Sequence, residues 1–173
     1  MGPTKTYVLT GAPGSGKTSI LNYLEFFHGE LTIREAAEDY IRLEQALGIA
    51  EPWKKPDFQK EILNLQLQRK IMIPMGIQRV FVDRDIADGL AYVGQGDLYD
   101  HIYGHAIQQN LEKIFLIEQL GSTETNDVRR EDYNQALLLG NRIAETYTSL
   151  GYDVISIPPV SLEDRTRMIL AEV

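Results

Sequence analysis

The sequence predicts an α/β fold, a three-layer sandwich in which helices cover both faces of a five-stranded parallel sheet. Three observations predict it. Short β-rich runs alternate with helical patterns from one end to the other. Runs such as Val80-Phe81-Val82 and Ile114-Phe115-Leu116-Ile117 are apolar throughout, as strands buried on both faces must be. The chain has 173 residues, 43% apolar and 24% charged, which suits one globular domain.

The elements follow in order. A strand over 6–10 leads through a glycine-rich turn into a helix over 17–27. A strand over 31–34 precedes a helix over 35–47, and the loop 48–57 carries Pro52, Trp53, Pro56 and the pair Lys54-Lys55. A helix over 58–75 comes before the strand 79–83. Helical patterns at 86–93 and 98–110 lead to the strand 114–118. The polar segment 121–132 precedes a helix over 132–150, and a strand over 154–158 follows. Ser161 with Asp164 three residues on is a capping-box signature for a final helix over 162–171. No internal repeat or linker divides the chain, so 1–173 is expected to be one domain. Met72 and Met75, with Ile71 and Ile73, are expected to fill the core.

Composition excludes several functions. With no cysteine, the chain can form no disulfide, Cys-ligated zinc site, iron–sulfur cluster or thiol nucleophile. The 25 acidic and 17 basic side chains give a net charge of −8, the wrong sign for a protein that grips a nucleic-acid polymer through its phosphates. No apolar run approaches the roughly 18 residues of a membrane span. Gly2 and Thr6 fit the loose acylation pattern, but Pro3 and an early strand oppose it. A cytoplasmic protein without membrane contact is expected. His101 and His105 share a helix face at possible zinc spacing, but no third ligand is evident and no metal is assigned there. Asp83, Asp85 and Asp88 superficially suggest a calcium loop, and the register fails.

One motif carries chemistry. Gly11-Ala12-Pro13-Gly14-Ser15-Gly16-Lys17-Thr18 matches the P-loop pattern in full, between a strand and a helix as the motif requires. Its glycines let consecutive amides turn toward an anion, and the helix that follows adds its positive end. Residues 11–18 with Ser19 are therefore expected to bind ATP, with Lys17 on the β- and γ-phosphates. The Thr18 hydroxyl would ligate Mg²⁺. A P-loop needs an acid on a neighbouring strand to help hold the metal, and Asp83 ends the apolar run 79–83. The chain lacks the Asp-x-x-Gly and Asn-Lys-x-Asp signatures of guanine-nucleotide switches, and it is short for a ring-forming mechanical ATPase.

Other segments carry a resemblance. Thr32-Ile33-Arg34-Glu35 is similar to a Thr-Arg-Glu segment of thymidylate kinases, and Asp83-Arg84 resembles their Asp-Arg pair. Over nearly its whole length the chain more closely resembles small P-loop ATPases related to the ribosylnicotinamide kinase domain of bifunctional bacterial NAD regulators. The shared segments are residues 11–18, Arg34-Glu35-Ala36-Ala37, Pro52-Trp53, Asp57-Phe58-Gln59, Asp83-Arg84 with Asp88-Gly89-Leu90-Ala91-Tyr92, and Arg129-Arg130-Glu131. Asp85 stands where thymidylate kinases carry an aromatic residue, which argues against thymidylate as substrate. The resemblance implies a P-loop NTPase fold of kinase-type strand order 2-3-1-4-5 and phosphoryl transfer to a small acceptor. It also implies an acceptor-side insertion at 36–78 and an arginine-bearing lid at 121–132.

Arg84, Arg129 and Arg130 are the candidates to take charge on the moving phosphoryl group, because guanidinium is always ionised and can bind two oxygens at once. Arg129-Arg130 also reads as a solvated basic pair. Glu35 is the candidate base for an acceptor hydroxyl, with Asp83 or Asp85 as alternatives and a plain helix-starting acid as the competing reading. Trp53 with nearby cations Arg42, Lys54 and Lys55 could bind a flat anion, or could simply pack its loop. A nucleotide-dependent regulator and a plain NTP hydrolase are the rival functions.

Overall fold

The computed structural model describes residues 2–120 and 127–173, with side chains in the latter stretch described from residue 134 onward. At the centre lies β1 (Lys5–Thr10), flanked by β3 (Arg79–Asp83) and β4 (Lys113–Ile117). β2 (Leu31–Ile33) and β5 (Val154–Ile157) complete a sheet of order 2-3-1-4-5. All pairings are parallel, as expected.

Side-chain alternation along the strands feeds two cores. Val8, Val80, Val82 and Ile114 face Leu63 of α3 (Phe58–Ile71), Ile102 of α4 (Asp97–Ala106), and Ile143 and Tyr147 of α5 (Asp127–Ser149). Tyr7, Leu9, Phe81 and Phe115 face Ile20, Leu21 and Leu24 of α1 (Lys17–His28) and Ile169 of α6 (Leu162–Ala171). Phe81 stacks on Tyr7 with ring centroids 5.3 Å apart. Burying a ring of this size contributes about 2 kcal/mol. A third cluster joins Ala36, Tyr40 and Ile41 of α2 (Ala36–Ala46) to Phe58 and Ile62 of α3. It makes a wall beside the sheet's carboxyl edge.

Several boundaries move, each for a local reason. The helix expected over 58–75 stops at Ile71, because Pro74 disfavours helical geometry before it and Gly76 takes φ 89°. Met72 and Met75, past the helix, are exposed at 78% and 102%, and Ile71, its last residue, faces solvent at 84%. They do not fill the core as expected; Ile73 alone of the four packs against it. Residues 86–91 form a 3₁₀ turn, opened by a reciprocal capping box between Asp85 and Asp88. A second short 3₁₀ turn, Pro52–Lys54, interrupts the loop after α2. α5 starts at Asp127, five residues earlier than expected, so its first turns occupy half of the expected lid. Ser161 caps α6 as its sequence predicts, accepting the Asp164 amide at 3.1 Å.

Candidate functional site

All five strands end at one edge of the sheet, where open α/β folds bind ligands. β1 runs there straight into residues 11–16. Gly11 takes φ 132°, and a Cβ on it would sit 2.6 Å from the Ile117 carbonyl oxygen, so only glycine fits between β1 and the end of β4. Gly16, at φ 93°, precedes α1 and offers no side-chain cap. The first amides of α1 are thus left for an anion.

Lys17 is buried. Its ammonium donates to the carbonyl oxygens of Ala12 at 3.0 Å and Gly11 at 3.2 Å. Burial lowers its pKa and the Arg84 charge reinforces this, against Asp83 and Glu35. Thr18 and Ser19 are exposed beside Lys17.

The β1–β3 register pairs Leu9 with Asp83, which sets Asp83 beside the strand that feeds the loop. The Thr18 hydroxyl donates to Asp83 Oδ2 at 3.1 Å. Asp83 Oδ1 is buried without a protein partner among the described residues. Burial pushes the Asp83 carboxyl up to about 6, against the pull of Lys17. An orphaned carboxylate oxygen next to a hydroxyl is a set of hard donors that fits Mg²⁺, which typically takes one or two carboxylates and completes its shell with substrate phosphates and water.

Arg84 follows in the left-handed region at φ 62°, the sole described non-glycine residue there, and its amide donates to the Leu9 carbonyl at 3.0 Å. Such a residue typically costs about 1 kcal/mol or more and persists where its surroundings hold it. The turn aims the guanidinium into the cavity. Its Nη1 donates to the Tyr92 hydroxyl at 2.6 Å and lies 3.6 Å from Asp88 Oδ1. Its Nε sits 3.2 Å from Glu35 Oε1, an ion pair without hydrogen-bond alignment. Burial alone would lower the Arg84 pKa; Asp88, Tyr92 and Glu35 outweigh it and hold the group charged.

Asp88 is the keystone under Arg84, and sequence reading assigned it no role. Its carboxylate accepts from Thr10 at 2.5 Å, Tyr147 at 2.6 Å and the Asp85 amide at 3.0 Å. Only the fold brings Tyr147, 59 positions away, to that carboxylate. Asp85 points elsewhere: it is buried and paired with Lys70 at 2.7 Å, outside the cavity lining.

One cavity of about 1060 Å³ connects the loop, Thr18, Glu35, Arg84 and Asp88, while Asp83, like Asp85, lies behind its lining. The loop residues Pro13, Gly14 and Lys17 line one side, and Phe58, Ile62 and Trp53 the other, with Glu35 and Arg84 between them. Trp53 is half exposed at the rim. Arg42 also lines the cavity, paired with Glu38. Lys54 is paired with Glu51 on the surface, whereas Lys55 reaches Glu44 at 2.9 Å and lies over the Tyr40 ring, so it fastens the loop to α2. The rings of His101 and His105 meet edge-on at 5.0 Å, and no metal-binding cluster of three or more His, Cys, Asp or Glu occurs among the described residues. The expected lid residues 121–126 and the side chains of Arg129 and Arg130 lie outside the described residues. No described helix is long and apolar enough to cross a membrane.

A family profile described as an AAA domain matches residues 6–165. No curated protein sequence matches the chain. Among solved structures, NadR protein in complex with NAD and AMP-PNP is similar at TM-score 0.72 and 17% identity, over 98% of this chain and 48% of that one. The chain therefore spans about half the length of the NadR chains it matches. Thymidylate kinase from Ehrlichia chaffeensis is similar at TM-score 0.65 and 17% identity, over 99% of both chains. Deoxyadenosine kinase from M. mycoides with bound dATP is similar at TM-score 0.60 and 13% identity, over 96% of this chain and 98% of that one. These likenesses are of fold, and they include both groups that the sequence motifs resemble.

Proposed function

This chain belongs to the AAA domain family matched over residues 6–165, and from that premise we propose that it is a small-molecule kinase. It binds ATP with Mg²⁺ at residues 11–19 and transfers the γ-phosphoryl group to a hydroxyl of a nucleoside-like or other small acceptor. The continuity of the cavity carries this reading: the phosphate loop and an apolar wall share one space, with an acid and an arginine between them. A site for two small substrates needs that arrangement. The nucleotides held by similar proteins, AMP-PNP and dATP, support ATP as donor.

The loop amides and Lys17 hold the donor phosphates, Lys17 leaving the carbonyls of Gly11 and Ala12 to do so. Thr18 and Asp83 hold Mg²⁺, which supplies charge neutralisation on the phosphate oxygens. The acceptor lies on Phe58 and Ile62, with its hydroxyl toward Glu35. That oxygen forms the new bond to the γ-phosphorus, the bond to the bridging oxygen breaks, and ADP leaves with the electron pair. The hydroxyl proton passes to Glu35. Arg84 takes up charge on the moving group, and Arg129 and Arg130 are assigned the same task from the sequence resemblance.

The test is ADP release from ATP and Mg²⁺ in the presence of nucleosides, nucleotides and simple alcohols, with Lys17→Ala as the blank. Acceptor-stimulated turnover, lost in Glu35→Gln with ATP binding retained, is expected. Turnover that no acceptor changes would make the protein a hydrolase. Tight binding without turnover would make it a regulator.

A further inference from the structure

Behind the phosphate loop lies a buried arginine that the reaction above does not use. Arg165 stands in the first turn of α6 and is 2% exposed. Its guanidinium donates to three main-chain carbonyls from three segments: Ser15 at 2.8 Å, Glu118 at 2.6 Å and Pro158 at 3.1 Å. These lie in the loop after β1, just past β4 and just past β5. Among the described residues no carboxylate forms an ion pair with it; the Glu118 carboxylate attracts it from beyond contact and is itself engaged by Ser156. The placement is unfavourable twice over. A buried cation with no carboxylate in contact is costly, and a helix's first turn prefers an anion.

The compensation lies across the loop. Nη1 would be 3.1 Å from a Cβ on Gly16, so the guanidinium sits directly beneath the peptide that joins Ser15 to Gly16. A cation bonded to the carbonyl of a peptide polarises the whole unit and makes its N–H a stronger donor. Here that N–H belongs to Gly16, at the anion-binding end of α1. We infer that Arg165 is a positioning residue for the nucleotide's phosphates, which acts through the Ser15–Gly16 peptide and adds its charge to the hold on the bound polyphosphate. The inference rests on phosphate binding at residues 11–19 as proposed above.

The experiment separates charge from packing. Arg165→Gln keeps amide donors and removes the charge, while Arg165→Lys keeps the charge on a different frame. Each is titrated with ATP, ADP and AMP, and unfolded thermally without ligand. R165Q is expected to bind ATP and ADP about tenfold more weakly than wild type. AMP should change little, and R165K should stay within about threefold for all three ligands. If R165Q binds ATP as wild type does, or if both variants lose all three ligands equally, the inference falls and Arg165 is structural. Should R165Q not fold, R165M takes its place in the same comparison. Wild type that binds no ATP overturns the phosphate-binding reading first, and this inference with it.

Discussion

The two sides of the cavity are built by opposite means. On the phosphate side, consecutive residues 11–18 present mainly backbone groups, arranged by glycines and the start of one helix. Across the cavity, Glu35, Phe58 and the pair Arg84 and Tyr92 come from three separated segments and present side chains. Main-chain amides recognise any phosphate and need only a local shape. Side chains recognise a particular acceptor and need long-range placement, with each buried charge answered by another. Hence Arg84 is held by Glu35 and Asp88, whereas Lys17 rests on carbonyls and forms no ion pair among the described residues.

Four substitutions test that contrast. The largest effect is expected from Lys17→Ala, which should lower turnover by about 10²- to 10³-fold. Because amides do most of the holding, ATP affinity should fall much less, and stability should hardly change; equal losses in both, seen by titration and steady-state kinetics, would refute the division. Arg84→Ala should behave in the opposite way. It deprives Glu35 and Asp88 of the cation they share, and should cost about 3 kcal/mol in denaturant unfolding while lowering turnover by less than Lys17→Ala does.

Asp83 supplies a pH signature for the protein free of nucleotide and metal. Its folded pKa, about 6, lies above the ordinary 3.8. The folded state therefore binds more protons than the unfolded state between those values, and stability must fall as pH rises through them. Below about 4 the penalty is absent, and above about 6 it is complete at roughly 2–3 kcal/mol. The difference between wild type and Asp83→Asn across that window should show the step; parallel curves would rule it out. The smallest effect belongs to Trp53→Ala. Half exposed at the rim, the ring should contribute under about 0.5 kcal/mol to unfolding. Its removal should raise the acceptor KM about two- to tenfold with kcat unchanged.

The same contrast explains what could be read in the sequence. The phosphate loop was legible because its parts are contiguous and its strand–loop–helix context is local. Asp83 was legible because an apolar run ends on it and the third strand of a sheet of this order lies beside the first. Asp88 was quoted as part of a resemblance, yet its partners Thr10 and Tyr147 could not be seen, since a carboxylate's environment is not written in its neighbours. Hydrophobicity alone suggests burial for Ile71, Met72 and Met75, but Pro74 and Gly76 end the helix before the two methionines, and Ile71 lies on its solvent side. Arg165 left one faint mark, a cation in the first turn of a helix where an anion is preferred.

The alternation of strands and helices, the strand order through resemblance, and the glycine-rich segment proposed to bind phosphate can all be read from the amino-acid sequence. Each of these depends on short-range pattern: side-chain period, capping and glycine spacing. Only the tertiary structure decided which charges meet. It turned Arg84 into the cavity through a left-handed backbone, withdrew Asp85 to Lys70, and set Arg165 beneath the loop from 150 residues away. Electrostatics in a buried site depends on distance and dielectric, and those exist only once the chain has folded.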